Sequence, residues 1–200
     1  MMDRRVMKTR KEIRKALLSL IEEKNFEVIT VLDITERANI NRGTFYLHYI
    51  DKYDLLEKYE QELFEKLEHV ALQYLKDDDT VTEFLQKRYP TIVHVFRCLQ
   101  EERELLSILL KTRGIFSFQD RIKNVFFSIF KNHSPSTVTE HSFSYPLDFL
   151  GLFGSSTFIS VLQYWLQSDM KQTPEQLAQM ITDIIFKGPV KAFGILPPAE

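Results

Sequence analysis

Apolar side chains recur at helical spacing along most of the chain. Ile13, Ala16, Leu17, Leu20 and Ile21 form one stripe, which predicts a helix over about 8–24, with Asn25 as its left-handed cap. Thr30 predicts the start of a short helix over 31–38, with Asp33 in the place of its capping-box partner. Asn39 then suits a tight left-handed turn, and Asn41 begins a third helix over 42–48. Asp51 caps a fourth helix, whose stripe Leu55, Leu56, Tyr59, Leu63, Leu67, Val70 and Tyr74 lasts for about six turns. The run Asp77-Asp78-Asp79 marks its exit.

Further helices are expected over 82–100, with Pro90 as a break, over 103–112, ended by Gly114, and over 118–131. The Ser/Thr-rich stretch 133–144 reads as a loop, followed by a helix over 145–167. Thr173 and Pro174 open a last helix carrying Leu177, Met180, Ile181, Ile184 and Ile185, which Gly188-Pro189 stops. No strand pattern or internal repeat interrupts this, so the fold class is all-α. Six Gly and seven Pro in 200 residues agree with long helices.

Residues 30–49 have the proportions of a helix-turn-helix: two helices of about two turns and a short turn between them. Ile34 and Ala38 should face inward, Ile40 should plug the turn, and Phe45 and Tyr49 should pack the second helix onto its neighbours. Arg42, Gly43, Thr44, Tyr46, Leu47 and His48 are left facing outward, a face well made for phosphate oxygens and base edges. Charge agrees. The net charge is −2, yet the first 52 residues hold 11 Lys/Arg against 8 Asp/Glu, and seven of those cations lie between Arg4 and Lys15. A basic head on an acidic body fits a protein that presents one end to a polyanion.

The run Ile29-Thr30-Val31-Leu32-Asp33-Ile34-Thr35-Glu36-Arg37-Ala38-Asn39-Ile40-Asn41-Arg42-Gly43-Thr44-Phe45-Tyr46-Leu47-His48-Tyr49, followed by Lys52 and Leu55-Leu56, resembles the DNA-binding domain of TetR-type regulators. The resemblance covers about residues 8–57 and departs at Asn39, where the family usually has Gly. It implies that Tyr46 and His48 contact the DNA backbone and that Lys52 reaches a phosphate beside free amides of the fourth helix. It also gives Thr30 a phosphate to meet through its amide or hydroxyl. Arg42 is the candidate for guanine readout, because a guanidinium bonds O6 and N7 together, and Gly43 lets the backbone approach closely. The implied architecture is an N-terminal helix-turn-helix domain, 1–50, followed by a helical effector-binding and dimerisation domain, 51–200.

A recognition helix this short reads few base pairs, so a homodimer on palindromic double-stranded operator DNA is expected. Related regulators pair their last two helices across a two-fold axis. The corresponding residues are Leu152, Phe153, Ser155, Phe158, Leu162, Ile181, Ile184 and Ile185, with Gly151 and Gly154 allowing close approach. Sixteen Phe suggest a pocket for a small apolar or aromatic effector, lined by Phe96, Phe126, Phe130, Tyr145, Phe149 and Trp165. Leu147 to Leu166 is only marginally apolar for a membrane span and reads as a buried or dimer helix. One cysteine, Cys98, and no secretion signal suit a cytoplasmic protein. No nucleophile, phosphate loop or metal-ligand spacing is recognisable, so no enzyme activity, metal or cofactor is expected. The function read here is a transcriptional regulator, a repressor released by its effector. An activator of the same fold, or a helical interaction module that has lost DNA reading, is the alternative.

Overall fold

The computed structural model describes residues 4–74, 81–112, 115–133 and 144–188. Nine α-helices are found among them: α1 (Arg4–Glu23), α2 (Val31–Arg37), α3 (Arg42–Tyr46), α4 (Lys52–Leu72), α5 (Val81–Glu101), α6 (Arg103–Thr112), α7 (Ile115–His133), α8 (Leu147–Gln167) and α9 (Pro174–Lys187). A 3-10 turn, Phe26–Val28, joins α1 to α2, and no strand occurs among the described residues. The acidic run at 77–79, Gly114, the loop at 134–143 and Pro189 lie outside the described residues. Two compact units form: Met1–Glu62 with Glu104–Thr112, and Leu63–Arg103 with Arg113–Glu200. The first runs past residue 50 and takes in the start of α4 and most of α6.

The first unit is built on the predicted stripe of α1. Ile13, Ala16, Leu17 and Leu20 are buried with Phe26, Ile29, Ile34, Phe45, Tyr49, Leu55, Leu56 and Tyr59. Asn25 departs from expectation. Its φ of −60° and ψ of 139° are extended, and its side chain accepts from the Glu27 amide at 3.3 Å. The residue therefore starts the 3-10 turn rather than ending α1 in a left-handed cap. That turn carries Phe26 into the core, where it is 3% exposed.

The turn between α2 and α3 closes as a Schellman motif. The Ile40 amide donates to the Thr35 carbonyl at 3.0 Å and the Asn39 amide to the Glu36 carbonyl at 3.1 Å. Asn39 sits at φ 53°, the left-handed conformation anticipated for it. An L-residue tolerates this region at a cost, and Asn does so better than most.

In the second unit α5 packs on α9, α7 on α8, and α8 on α9. Phe96 stacks on Phe158 at 5.2 Å and meets Trp165 edge-on at 5.5 Å. The Trp165 indole donates to the Gln172 carbonyl at 2.9 Å, so its buried N–H is satisfied. Pro90 was expected to break its helix, yet α5 runs through it. The Thr91 hydroxyl donates to the Lys87 carbonyl at 2.7 Å, and burial of Val93, Phe96 and Leu99 further along α5 favours the continuous helix. Thr173 and Gln176 form a capping box with Pro174 at the first helical position of α9, as the sequence indicates.

Several residues assigned to an interface or pocket instead fill the interior. Ser155, Phe158, Leu162 and Ile181 are buried within the chain, so their area is not offered to a partner. Leu152, Phe153 and Ile185 are exposed, and Ile184 is half-buried. Phe96 and Trp165 are core residues packed on each other rather than a pocket wall. Tyr145 and Phe149 are exposed, and the side chains of Phe126 and Phe130 lie outside the described residues. Gly151 serves an internal contact: a Cβ there would lie 2.6 Å from the Phe127 ring of α7. Around Gly154 there is open space. By length and composition α8 is apolar enough to cross a membrane over Asp148–Gln167, and 33% of that window is buried.

The left-handed turn makes one residue diagnostic. Asn39→Ala is expected to lower stability by about 1 kcal/mol, whereas Asn39→Gly should match or exceed the wild type. Urea titration followed by circular dichroism measures both. Equal stability of the Ala and Gly variants would contradict the assigned backbone.

Candidate nucleic-acid interface

Helix α3 is only five residues long, too short to persist by itself. Phe45, fully buried, and Tyr49, 2% exposed, pin it to the core. Their rings tilt against each other at 5.5 Å. Successive residues of a helix are rotated by about 100°. Measured from Phe45, Arg42 and Tyr46 then lie about 60–100° around the axis, and Thr44 and His48 about 260–300°. Gly43 and Leu47 fall between these two flanks, at about 160–200°, opposite the buried ring. Exposure follows that wheel. Arg42, Gly43, Tyr46 and Leu47 are exposed, while Thr44 and His48 are half-buried. The Arg42 guanidinium reaches the Tyr46 hydroxyl at 3.5 Å, the limit for a hydrogen bond, so both remain available to other partners.

Tyr49 also leads into a polar cluster of the same unit. Its hydroxyl lies 3.5 Å from that of Tyr59, and the Tyr59 hydroxyl donates to the Arg10 carbonyl at 3.0 Å. Arg10 Nε donates to the Tyr49 hydroxyl at 3.3 Å, and its guanidinium pairs with Glu62. Burial, together with the Tyr49 contact, pushes the Tyr59 phenol far above its ordinary range and keeps it protonated. Lys58 caps the end of α3 by donating to the His48 carbonyl at 3.0 Å, and it also pairs with Asp54 at 2.9 Å. Helix α3 and the turn after it are thus tied to α1 and to α4.

At the start of α2, Thr30 and Asp33 form the anticipated capping box. The Thr30 amide and hydroxyl both donate to Asp33 Oδ2 at 2.7 Å, and the hydroxyl accepts from the Asp33 amide at 3.1 Å. Lys24 pairs with the other carboxylate oxygen at 2.8 Å. That ammonium, then the Thr30 hydroxyl and amide, hold the Asp33 carboxyl well below the usual range. Both Thr30 donors are engaged, so Thr30 works here as the cap of α2. Arg37 clasps Glu23 with two hydrogen bonds of 2.8 and 2.7 Å and reaches Ser19 at 2.7 Å, joining α2 to α1. This bidentate pair holds the Glu23 carboxyl below its ordinary value.

Lys52 is placed differently from expectation. Its ammonium donates to the carbonyls of Phe26 at 3.0 Å and Glu27 at 2.7 Å, and it lies over the Phe26 ring at 5.0 Å. The neighbouring amides are not free either. Those of Tyr53 and Asp54 donate to Asp51 at 2.8 Å, and that of Ile50 to Asp54 at 2.9 Å. Lys52 therefore staples the start of α4 to the 3-10 turn, with one of its three N–H donors left over. The Tyr53 hydroxyl, donating to Glu27 at 2.9 Å, adds to the same junction. Sequence reasoning missed the ion pairs of Arg10, Lys24 and Arg37, whose partners are 9 to 52 residues away. No group of three or more His, Cys, Asp or Glu placed to hold a metal is found among the described residues.

This architecture is shared with known proteins. A model of bacterial regulatory proteins of the tetR family matches residues 13–59, and one of a TetR-type transcriptional regulator C-terminal region matches residues 86–187. An uncharacterized HTH-type transcriptional regulator of Bacillus subtilis, YxbF, is 25% identical over 177 residues, which span 87% of this chain and 44% of the relative. The chain spans about half the length of the curated relatives it matches. A TetR transcriptional regulator from Streptococcus agalactiae superposes with a TM-score of 0.58 at 26% identity, covering 92% of this chain and 96% of that one. The fatty acid degradation regulator FadR from Bacillus halodurans shares the fold, with a TM-score of 0.64 at 14% identity over 90% of this chain and 96% of that one. With its helix-turn-helix and its C-terminal half both matched, the chain belongs to the TetR family of bacterial DNA-binding transcriptional regulators.

Proposed function

We propose that the protein is a homodimeric repressor that holds a palindromic operator through α3 and is released by a small apolar or aromatic effector. The observation that carries the DNA-reading part is the partition of α3. Phe45 and Tyr49 are buried, Arg42 and Tyr46 stand exposed on one polar flank, and Thr44 and His48 stand half-buried on the other. In a major groove those flanks meet phosphates, with Lys52 holding the adjoining turn in place. Repression and effector release are the usual behaviour of the family, and the sixteen Phe of the sequence are the ground for an apolar or aromatic effector. The protein acts by binding rather than by catalysis, in the cytoplasm, where bacterial operators lie.

Dimerisation is supported by one face of α8. Phe149, Leu152, Phe153 and Tyr164 are each about half exposed, on the side opposite the buried row Ser155, Phe158, Leu162 and Trp165. Met180 and Ile185 of α9 add exposed apolar area. So many large apolar side chains on neighbouring helices mark an interaction surface, and a second copy meeting it across a two-fold axis covers it symmetrically.

Two measurements test these readings. In fluorescence anisotropy with a mixed-sequence duplex, affinity should fall steeply with NaCl, and Arg42→Ala should flatten the log–log slope by about one. Absence of binding at low salt, or a slope unchanged in the variant, would contradict the assigned face. In sedimentation equilibrium the wild type should run as a dimer and Phe153→Asp as a monomer of unchanged helicity. A wild type that runs as a monomer, or a variant of unchanged mass, would contradict the α8 interface.

A further inference from the structure

The outermost surface of α3 and its C-cap, formed by Gly43 and Leu47, is apolar, although both its flanks are polar. Leu47 is 81% exposed, the highest value among the large apolar side chains described. It points about 200° away from Phe45, straight out of the protein. One turn earlier on the same side lies Gly43, where a Cβ would meet nothing within 4 Å. The N–H of Leu47 is used inside the helix, donating to the Gly43 carbonyl at 3.2 Å, so this position presents a hydrocarbon surface.

When a helix seats in a major groove its flanks face the phosphate walls and its crown faces the base edges. Arg42, Tyr46, Thr44 and His48 are on the flanks. Leucine at the crown can donate and accept nothing. The apolar group that base pairs display on the major-groove floor is the C5-methyl of thymine. Against cytosine or guanine the same leucine would strip water from N4, N7 or O6 and return no hydrogen bond.

We propose that Leu47 is a specificity-determining residue that reads thymine through its C5-methyl group. Gly43 assists by letting the backbone sit close enough for that contact. This assignment rests on the DNA-reading function above. It puts sequence preference at the crown and leaves Arg42 to the wall of the groove.

The test is selection of duplex DNA from a random pool by the full-length wild type and by Leu47→Ala. Each thymine of the enriched site is then replaced by deoxyuridine, which removes the methyl and nothing else. Wild-type affinity should drop roughly three- to tenfold at one thymine in each half-site. Leu47→Ala should bind thymine and deoxyuridine sites equally and enrich a motif degenerate at that position only. Because Leu47 is exposed, the variant's thermal melt should match the wild type, which separates lost readout from lost fold. An enriched motif with no deoxyuridine effect, or a variant that keeps the discrimination, would overturn the role of Leu47 alone. A wild type that enriches no motif would overturn that role together with the DNA-reading function.

Discussion

Burial of two aromatic rings, Phe45 within a five-residue helix and Tyr49 just beyond its end, is the constraint on which the rest depends. A helix of that length has no stability of its own, so its direction and its rotation about its axis come from what its side chains bury. Phe45 and Tyr49, four residues apart, fall on one line and fix both. Once they are seated, the wheel leaves no choice. Leu47 and Gly43 must point out, with Arg42 and Tyr46 on one side of them and Thr44 and His48 on the other. The outward face follows from a packing decision made on the opposite side of the same segment.

Polar contacts then refine what packing decides. Tyr49 shares its hydroxyl environment with Tyr59 and Arg10, so the end of α3, the start of α1 and the first half of α4 are joined within one unit. Lys58 and Lys52 place ammonium groups on backbone carbonyls at the two sides of the same junction. Hydrogen bonds of a charged donor to a carbonyl are stronger than neutral ones and are directional, so they resist rotation of the helix as well as its loss. The exposed pairs Arg37–Glu23 and Lys24–Asp33 act further out, where water weakens them, and they serve mainly to orient α2 on α1.

Local features were legible in the sequence because they are decided within three or four residues. The Thr30–Asp33 and Thr173–Gln176 capping boxes, the left-handed Asn39 and the inward Phe45 and Tyr49 all belong to this class. Asn25 went the other way because two local partners compete for it, the end of α1 and the amide of Glu27, and the depth of Phe26 decides between them. Pro90 misled for a similar reason: its intrinsic penalty is local, while the packing of α5 on α9 that offsets it is not. The role expected of Lys52 depended on carbonyls 25 and 26 residues away, which no spacing rule reveals. On α8 the failure was one of pattern. Its residues are apolar on both faces, so periodicity does not separate the core row of Phe158, Leu162 and Trp165 from the exposed row of Phe149, Leu152 and Phe153.

The partition of side chains across α3 is open to direct measurement. Hydroxyl-radical labelling of the free protein, read by mass spectrometry residue by residue, compares neighbours on one helix and so cancels differences between regions. Tyr46 and Leu47 should be modified rapidly, while Phe45 and Tyr49 should stay protected until the protein unfolds. Labelling of Phe45 or Tyr49 in the folded protein as fast as Tyr46 would mean that the recognition helix is not seated as described, and the outward face would have to be reassigned.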